Sequence, residues 1–377
     1  MEINNVWNMT QNLNSTNDFW WITDLLIVRT YHMMKYPSYL WNHKNFTAVS
    51  PDFLYSTTLL VRYGYPLLLA FGTVSNMLAF VFSLLTYRCA DICIYFVFLS
   101  LADIFTLWTH IYPLMHMQYF ENTGNSVHSS VECRLLQFLQ HLSRTFAGWM
   151  VVVTTATRFC ALQNPIVWKA KTVKFHVRVC LLSIASVGIL CTPSLFLYDY
   201  LNLGVGDFVG LCHMMPKAFI TYEANLYWNS FLFPIVPVLV VFMLNFAILY
   251  KLYASEKFRD RSSVSRRNTS VRYQKSSSRQ QVVTLLTVST LFLVLSTPHV
   301  WNSLRQLYSK YRFSDLREGL ERGTGAFFNM ESYWASFILY INNSINFYVY
   351  ILVGNTLREE FMKRVRDLKL LKSGHRN

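Results

Sequence analysis

"LLLAFGTVSNMLAFVFSLL", Leu67–Leu85, carries no charged residue. A helix needs about 20 consecutive, mostly apolar residues to cross the hydrocarbon core of a bilayer. This run meets that length. It does not alternate in polarity, so a membrane strand of about 10 residues is the poorer reading. One residue inside it, Asn76, is an amide at membrane depth and needs a partner there.

Six similar runs follow the first. The set covers roughly residues 58–86, 92–117, 131–162, 176–198, 224–252, 280–307 and 331–353. Several exceed the minimum length, which implies tilt or extension into water. Hydrophobic residues make up 53% of the 377-residue chain and charged residues 14%, against about 25% charged in soluble domains. The expectation is an all-α membrane protein, a seven-transmembrane helix bundle over residues 58–353.

Lysine and arginine set the orientation. The segments after helices 3, 5 and 7 are basic. The longest, residues 253–279, contains "SEKFRDRSSVSRRNTSVRYQKSSSR", and the tail, residues 354–377, contains "LREEFMKRVRDLKLLKSGHR". These segments are placed in the cytoplasm, which puts residues 1–57 outside. That N-terminal segment holds acceptor sequons for glycosylation at Asn8, Asn14 and Asn45. No signal peptide is evident, and helix 1 is expected to act as its own insertion signal. The net charge of +14 is divided among membrane loops, which argues against nucleic-acid binding. "TLREEFMKRVRDL" is expected to form a short amphipathic helix 8 on the bilayer surface, without a cysteine for acylation.

Seven cysteines are present. Cys89, Cys93, Cys160, Cys180 and Cys191 fall in or near helices or on the inner side. Cys133, at the outer start of helix 3, and Cys212, in the loop between helices 4 and 5, remain on the oxidising side and are expected to pair. No CxxC pair, HExxH, GxSxG or phosphate-binding glycine loop is found. The expectation is no enzyme, no cofactor and no metal, apart from a cation at the acid discussed below. The lack of an internal repeat weakens a transporter reading.

Polar residues within the helices cost about 2.5–3.5 kcal/mol for Arg or Asp at a helix centre. Asp103 in "FLSLADIFTLW", Asn76, and Asn342, Asn343 and Asn346 in "INNSINFYVY" are expected to converge on one buried cluster. Helix 3 carries a second set: Gln137, Gln140, His141 and Arg144 share one face in the outer half and should line the inner cavity. Gln140 or His141 alone reads equally as a satisfied interior residue. Arg144 calls for an anion or a carbonyl cage. Prolines interrupt other helices at Pro193, Pro234, Pro237 and Pro298. They read either as pivots or as static kinks.

With Asn76, "LSLAD", Cys133 placed 25 residues before Arg158, Cys212, Pro237, Phe292 six residues before Pro298, and "NSINFYVY" followed by "LREEF", the chain resembles a rhodopsin-like (class A) G-protein-coupled receptor over roughly residues 55–365. The resemblance implies that Thr157, Arg158 and Phe159 form the cytoplasmic end of helix 3 that meets the G protein, with Pro165 in the following loop. It also gives activation roles to Phe292, Pro298, Pro237, Asn346 and Tyr350.

The departures from the family pattern carry information too. Thr157 replaces the usual acid and Ser278 supplies none on helix 6, implying a weak resting lock and raised basal activity. Ser296 stands for the helix 6 tryptophan, Phe347 for the helix 7 proline, and Asn245 for a helix 5 tyrosine. The family's sodium site keeps Asp103 but has Ala147 in place of a serine, so a sodium ion near Asp103 stays open.

Gln140 and Tyr340 stand where an amine-binding acid and a retinal-binding lysine would be. The remaining resemblance is to invertebrate neuropeptide receptors, of the FMRFamide-type and related groups. The implied partners are an extracellular peptide, a heterotrimeric G protein, arrestin and kinases, the last acting at Thr269 and Ser270 in "RRNTS". Ligand contacts are expected from Gln137, Gln140, His141, Arg144, Trp228, His299, Trp301 and Tyr340, with Glu223 and Glu331 as acidic partners. A chemosensory receptor for odorants, and less so a transporter, are the alternatives.

Overall fold

The computed structural model describes residues 51–86, 92–119, 129–201, 211–214, 228, 230–261, 269–310, 324–353, and Arg358, Glu359, Met362, Lys363 and Arg366 in the tail. Seven long helices dominate: α1 (Tyr65–Thr86), α2 (Ile92–Tyr119), α3 (Ser130–Gln163), α4 (Val173–Cys191), α5 (Val236–Arg261), α6 (Thr269–Lys310) and α7 (Thr324–Val353). Each overlaps a stretch long and apolar enough to cross a membrane, from Tyr55–Leu85 at the start to Met330–Val353 at the end. The seven expected runs and the seven observed spans coincide. Residues 253–279, expected as a loop, are partly helical, because α5 and α6 both continue beyond their apolar stretches. The five described tail residues have helical backbone; the remainder of the expected amphipathic helix lies outside the described residues.

Between α4 and α5 stands a two-stranded antiparallel hairpin, β1 (Tyr198–Leu201) with β2 (Leu211–Met214), in which Tyr200 pairs with Cys212. Apolar-run reading gave no sign of it.

Helix α3 is the axis of the bundle, in contact with α2, α4, α5 and α6. Its start is fixed locally. Ser129 is extended and its Oγ accepts the Glu132 N–H at 3.2 Å, while Glu132 places an acid in the first turn. Its end is set by Asn164 and Pro165, which begin a new short helix, Pro165–Lys169. Buried Phe146, Met150 and Val151 of α3 pack with Leu99 of α2, Val187 of α4, Val241 of α5 and Phe292 of α6.

Two prolines explain further bonds made by α3. Pro113 lies inside α2, has no N–H, and so leaves the Thr109 carbonyl four residues earlier without its helical donor. Gln140 Nε2 donates to that carbonyl at 2.8 Å. A π-helical turn, Phe231–Ile235, precedes α5, and the Val236 N–H bonds the Phe231 carbonyl in its register. The next bond in that register would run from Pro237 to Leu232, and proline cannot make it. Trp149 Nε1 donates to the Leu232 carbonyl at 3.1 Å instead. Helix α3 therefore repairs the backbone of both neighbours.

Helices α1 and α7 meet closely at Gly72. A Cβ there would lie 2.6 Å from Leu107 Cδ1 and would also collide with Ser344 Oγ. Any side chain at this position would force Leu107 and Ser344 to shift.

Candidate functional site

The expected polar cluster forms at mid-bundle. Asn76 Nδ2 donates to the Asn343 carbonyl at 2.6 Å and to the Gly72 carbonyl at 2.9 Å, tying α1 to α7. Asn346 Nδ2 donates to Asp103 Oδ2 at 2.7 Å, tying α7 to α2. Asn342 Nδ2 lies 3.5 Å from Asn343 Oδ1. All five side chains are buried. Burial of a carboxylate is expensive unless it is hydrogen-bonded, and Asn346 supplies that bond.

Toward the outer side, Arg144 brings a second charge into the bundle. Its Nη2 lies 3.4 Å from the Tyr340 hydroxyl and its guanidinium stands 5.3 Å from the Phe233 ring centroid. His299 packs edge-on against the same Phe233 ring at 5.6 Å. His110 of α2 stands 5.8 Å from the Tyr340 ring. His141, one turn outward on α3, faces Tyr198 of the hairpin at 6.0 Å. A small cavity, about 10 Å³, is lined by Arg144 and Phe233 together with Asp103, Asn346 and Phe292.

The hairpin covers this region and is tied to α3 by the Cys133–Cys212 disulfide, with a Cα–Cα distance of 5.4 Å, as expected. Arg134 adds a second tie: its Nε donates to the Tyr198 carbonyl at 3.1 Å and its Nη2 lies 3.5 Å from Asp199. A hydrogen bond from Ser130, helped by the Tyr200 N–H and Arg134, holds the Asp199 carboxyl below its ordinary pKa against the opposing effect of burial.

A family model described as the 7 transmembrane receptor (rhodopsin family) matches residues 75–350, a stretch that begins beside Asn76 and ends at Tyr350. The chain is a rhodopsin-family seven-transmembrane receptor. Its members are signalling receptors rather than enzymes, and in general they bind extracellular ligands and G proteins.

Within this receptor the expected ligand residues divide. Arg144 lines the cavity; Tyr340 lies against its guanidinium, His299 shares its Phe233 ring, and His141 stands one turn outward on α3. Gln140 is engaged in repairing α2, and Gln137 is half-buried one turn outward. Trp301 is 63% exposed: it lies two residues from His299, which packs inward on Phe233, and on a helix that turns it to the opposite side. Trp228 is 42% exposed, and its Nε1 donates at 3.0 Å to the Leu190 carbonyl in the last turn of α4. It closes a helix end. Glu331 pairs with Arg305 across α6 and α7 at 2.6 Å. Glu223 and the sequons Asn8, Asn14 and Asn45 lie outside the described residues. Sequence reasoning missed His110, although it is seven residues beyond Asp103 and so shares its helix face. It also missed Phe233 and Tyr198, whose apolar rings gave no signal.

At the receptor's inner end, Thr157 is buried and its Oγ1 donates to the Thr154 carbonyl of its own helix at 2.8 Å. Arg158 and Phe159 are half-buried there. Lys251 Nζ bonds Gln163 Oε1 at 2.6 Å, joining α5 to α3. Tyr95 and His176 join α2 to α4 at 2.8 Å. Tyr350 stacks on Phe96 at 4.0 Å. Asn245 Oδ1 and the Leu285 carbonyl both lie 2.9 Å from Ser289 Oγ, so the residue in place of a tyrosine joins α5 to α6. Pro298 lies inside α6, and Pro237 is buried in α5.

A cation near Asp103, left open by the sequence, would meet a mixed donor set. Carboxylate and amide oxygens suit a hard ion. Ala147 offers only a methyl group, Asn346 occupies one carboxylate oxygen, and the Arg144 guanidinium lines the same cavity. A second cation would be repelled by Arg144 in a low-dielectric space. The residues present do not fit it.

Proposed function

We propose that this receptor sits in the plasma membrane with its N-terminus outside, binds an extracellular peptide of the FMRFamide-type or a related neuropeptide group, and activates a heterotrimeric G protein. The observation that supports the reading most is the group of buried polar side chains around Arg144: Tyr340 lies 3.4 Å from its Nη2, and His299 packs on the Phe233 ring that its guanidinium faces. A ligand seated against Arg144, His299 and Tyr340 touches α3, α6 and α7 at once. It shifts the bundle only in so far as it binds one arrangement of those helices more tightly. Arg158 stands on the same α3 at the inner end, 14 residues on, or about 21 Å along the axis. The guanidinium of Arg144, with the Tyr340 phenol and the His299 imidazole buried beside it, suits a peptide better than a volatile apolar odorant.

Glycans at Asn8, Asn14 and Asn45, kinase action at Thr269 and Ser270, and arrestin recruitment belong to the same reading. The test expresses the receptor in cells carrying sensors for each G-protein class and applies a neuropeptide library beside a panel of volatiles. A dose-dependent response to one peptide group, lost in Arg158→Ala at equal surface level, supports it. A response confined to volatiles overturns the peptide assignment, and ligand-independent flux without any G-protein signal overturns the receptor reading.

A further inference from the structure

Arg144 Nε, His141 Nε2 and His299 Nδ1 are buried polar atoms without a hydrogen-bond partner among the described residues. They belong to one place. His141 is one helical turn from Arg144, and Arg144 and His299 lie against the same Phe233 ring at 5.3 Å and 5.6 Å. Arg144 has donors only and accepts nothing. Its two contacts, the Tyr340 hydroxyl at 3.4 Å and a ring face, bring no anion into contact with its guanidinium. Among the described residues no carboxylate pairs with it: Glu331 is taken by Arg305 and Asp199 by Arg134. Asp103, deeper in the cavity, accepts from Asn346.

We infer that the buried group of Arg144, His141 and His299 is an anion site that receives a carboxylate of the ligand. A buried guanidinium is costly alone, and a bidentate carboxylate offsets that cost. A neutral amide would satisfy one donor and leave the charge. The guanidinium of an arginine-bearing ligand would be repelled at this spot and must lie elsewhere. The carboxylate is either a free peptide C-terminus or an Asp or Glu side chain; both present the same group. The ligand seat proposed above is taken as the place of binding.

The test uses the full-length receptor in lipid nanodiscs and two probes of equal shape, N-acetylphenylalanine and its amide. The acid is expected to raise the melting temperature saturably, with a half-saturating concentration at least about tenfold below that of the amide, a difference of about 1.4 kcal/mol. Arg144→Gln removes the preference and Arg144→Lys keeps part of it. Without probe, Arg144→Gln melts at or above the wild-type temperature, because it deletes a buried charge with no anion in contact. Equal shifts from acid and amide, no shift from either, or a lower melting temperature for unliganded Arg144→Gln would overturn the site; the last would mean that the fold itself neutralises Arg144. The peptide library, run as paired C-terminal acids and amides and with acidic residues replaced, then distinguishes the source of the carboxylate. Acid-selective probe binding with no peptide response sinks the peptide reading and leaves the anion site standing.

Discussion

Trp149 on α3 donates its indole N–H, at 3.1 Å, to the Leu232 carbonyl, which Pro237 leaves without a backbone donor. An unsatisfied buried carbonyl costs about 1–3 kcal/mol. Trp149→Phe should therefore lower stability by about that amount, read as a drop in melting temperature of the purified receptor. Pro237→Ala restores the missing N–H, so the same tryptophan substitution should cost less in that background. Equal costs in both backgrounds would disprove the assignment of the bond.

Gln140 holds the Thr109 carbonyl in the same way. Gln140→Leu should reduce surface expression and melting temperature. Any loss of ligand potency should be no larger than the loss of folded receptor explains. Radioligand or fluorescent-peptide saturation, compared with receptor number, separates the two.

Gly72→Ala should be among the most damaging small substitutions in the chain. The added methyl would meet Leu107, which is fully buried, at 2.6 Å and would also strike Ser344. Overpacking of this kind costs about 1–3 kcal/mol. It also displaces the backbone that Asn76 uses to bind α7. Surface expression by flow cytometry should fall, with Gly72→Ser at least as low.

Replacing sodium chloride by choline chloride at equal ionic strength should leave the melting temperature unchanged, since Arg144 already places a positive charge in the cavity of Asp103. Asp103→Asn keeps an acceptor for Asn346 and should be tolerated better than Asp103→Leu. A clear sodium-specific stabilisation that disappears in Asp103→Asn would contradict the charge argument.

The tie between Asp199 and α3 should respond to acid. Its folded pKa is lowered, so its contribution is fully present above the ordinary carboxylate value of about 3.9 and is lost as pH falls through the still lower folded value. The group is solvent-accessible, so the effect should be under about 1 kcal/mol. Thermal melts from pH 7 to pH 3 should show it, and Asp199→Asn should flatten that part of the profile.

Thr157→Asp should lower signalling without ligand. Thr157 Oγ1 bonds within its own helix and brings no charge to Arg158. An acid at that position supplies the partner that the resemblance implies for a resting receptor. Basal output of the G-protein sensors at matched surface level measures the change.

The spans were legible because an apolar run of bilayer length has few other uses. The polar cluster was legible for the same reason, since Asn76, Asp103, Asn343 and Asn346 have nowhere to go but toward one another. The cysteine pair followed from the side of the membrane. What escaped reading depends on rotation about a helix axis and on backbone repair. Trp301 and Trp228 were assigned to the cavity by residue type, but turn two residues away from His299 and toward the end of α4, respectively. Gln140 looked like a ligand contact because the carbonyl it serves is created by Pro113 on another helix, and no spacing rule links the two. The hairpin was missed because its four-residue strands lie in a loop whose pairing depends on the disulfide and Arg134.

Gln140 and Trp149 are nine residues apart on α3, about 14 Å along its axis, and each closes a break in a different neighbour. A turn of α3 by a single residue position, about 100°, would open both breaks together. The axis is therefore splinted to α2 at one height and to α5 at the other. These three helices form a chassis, and movement that reaches Arg158 must come from the elements free to slide against it.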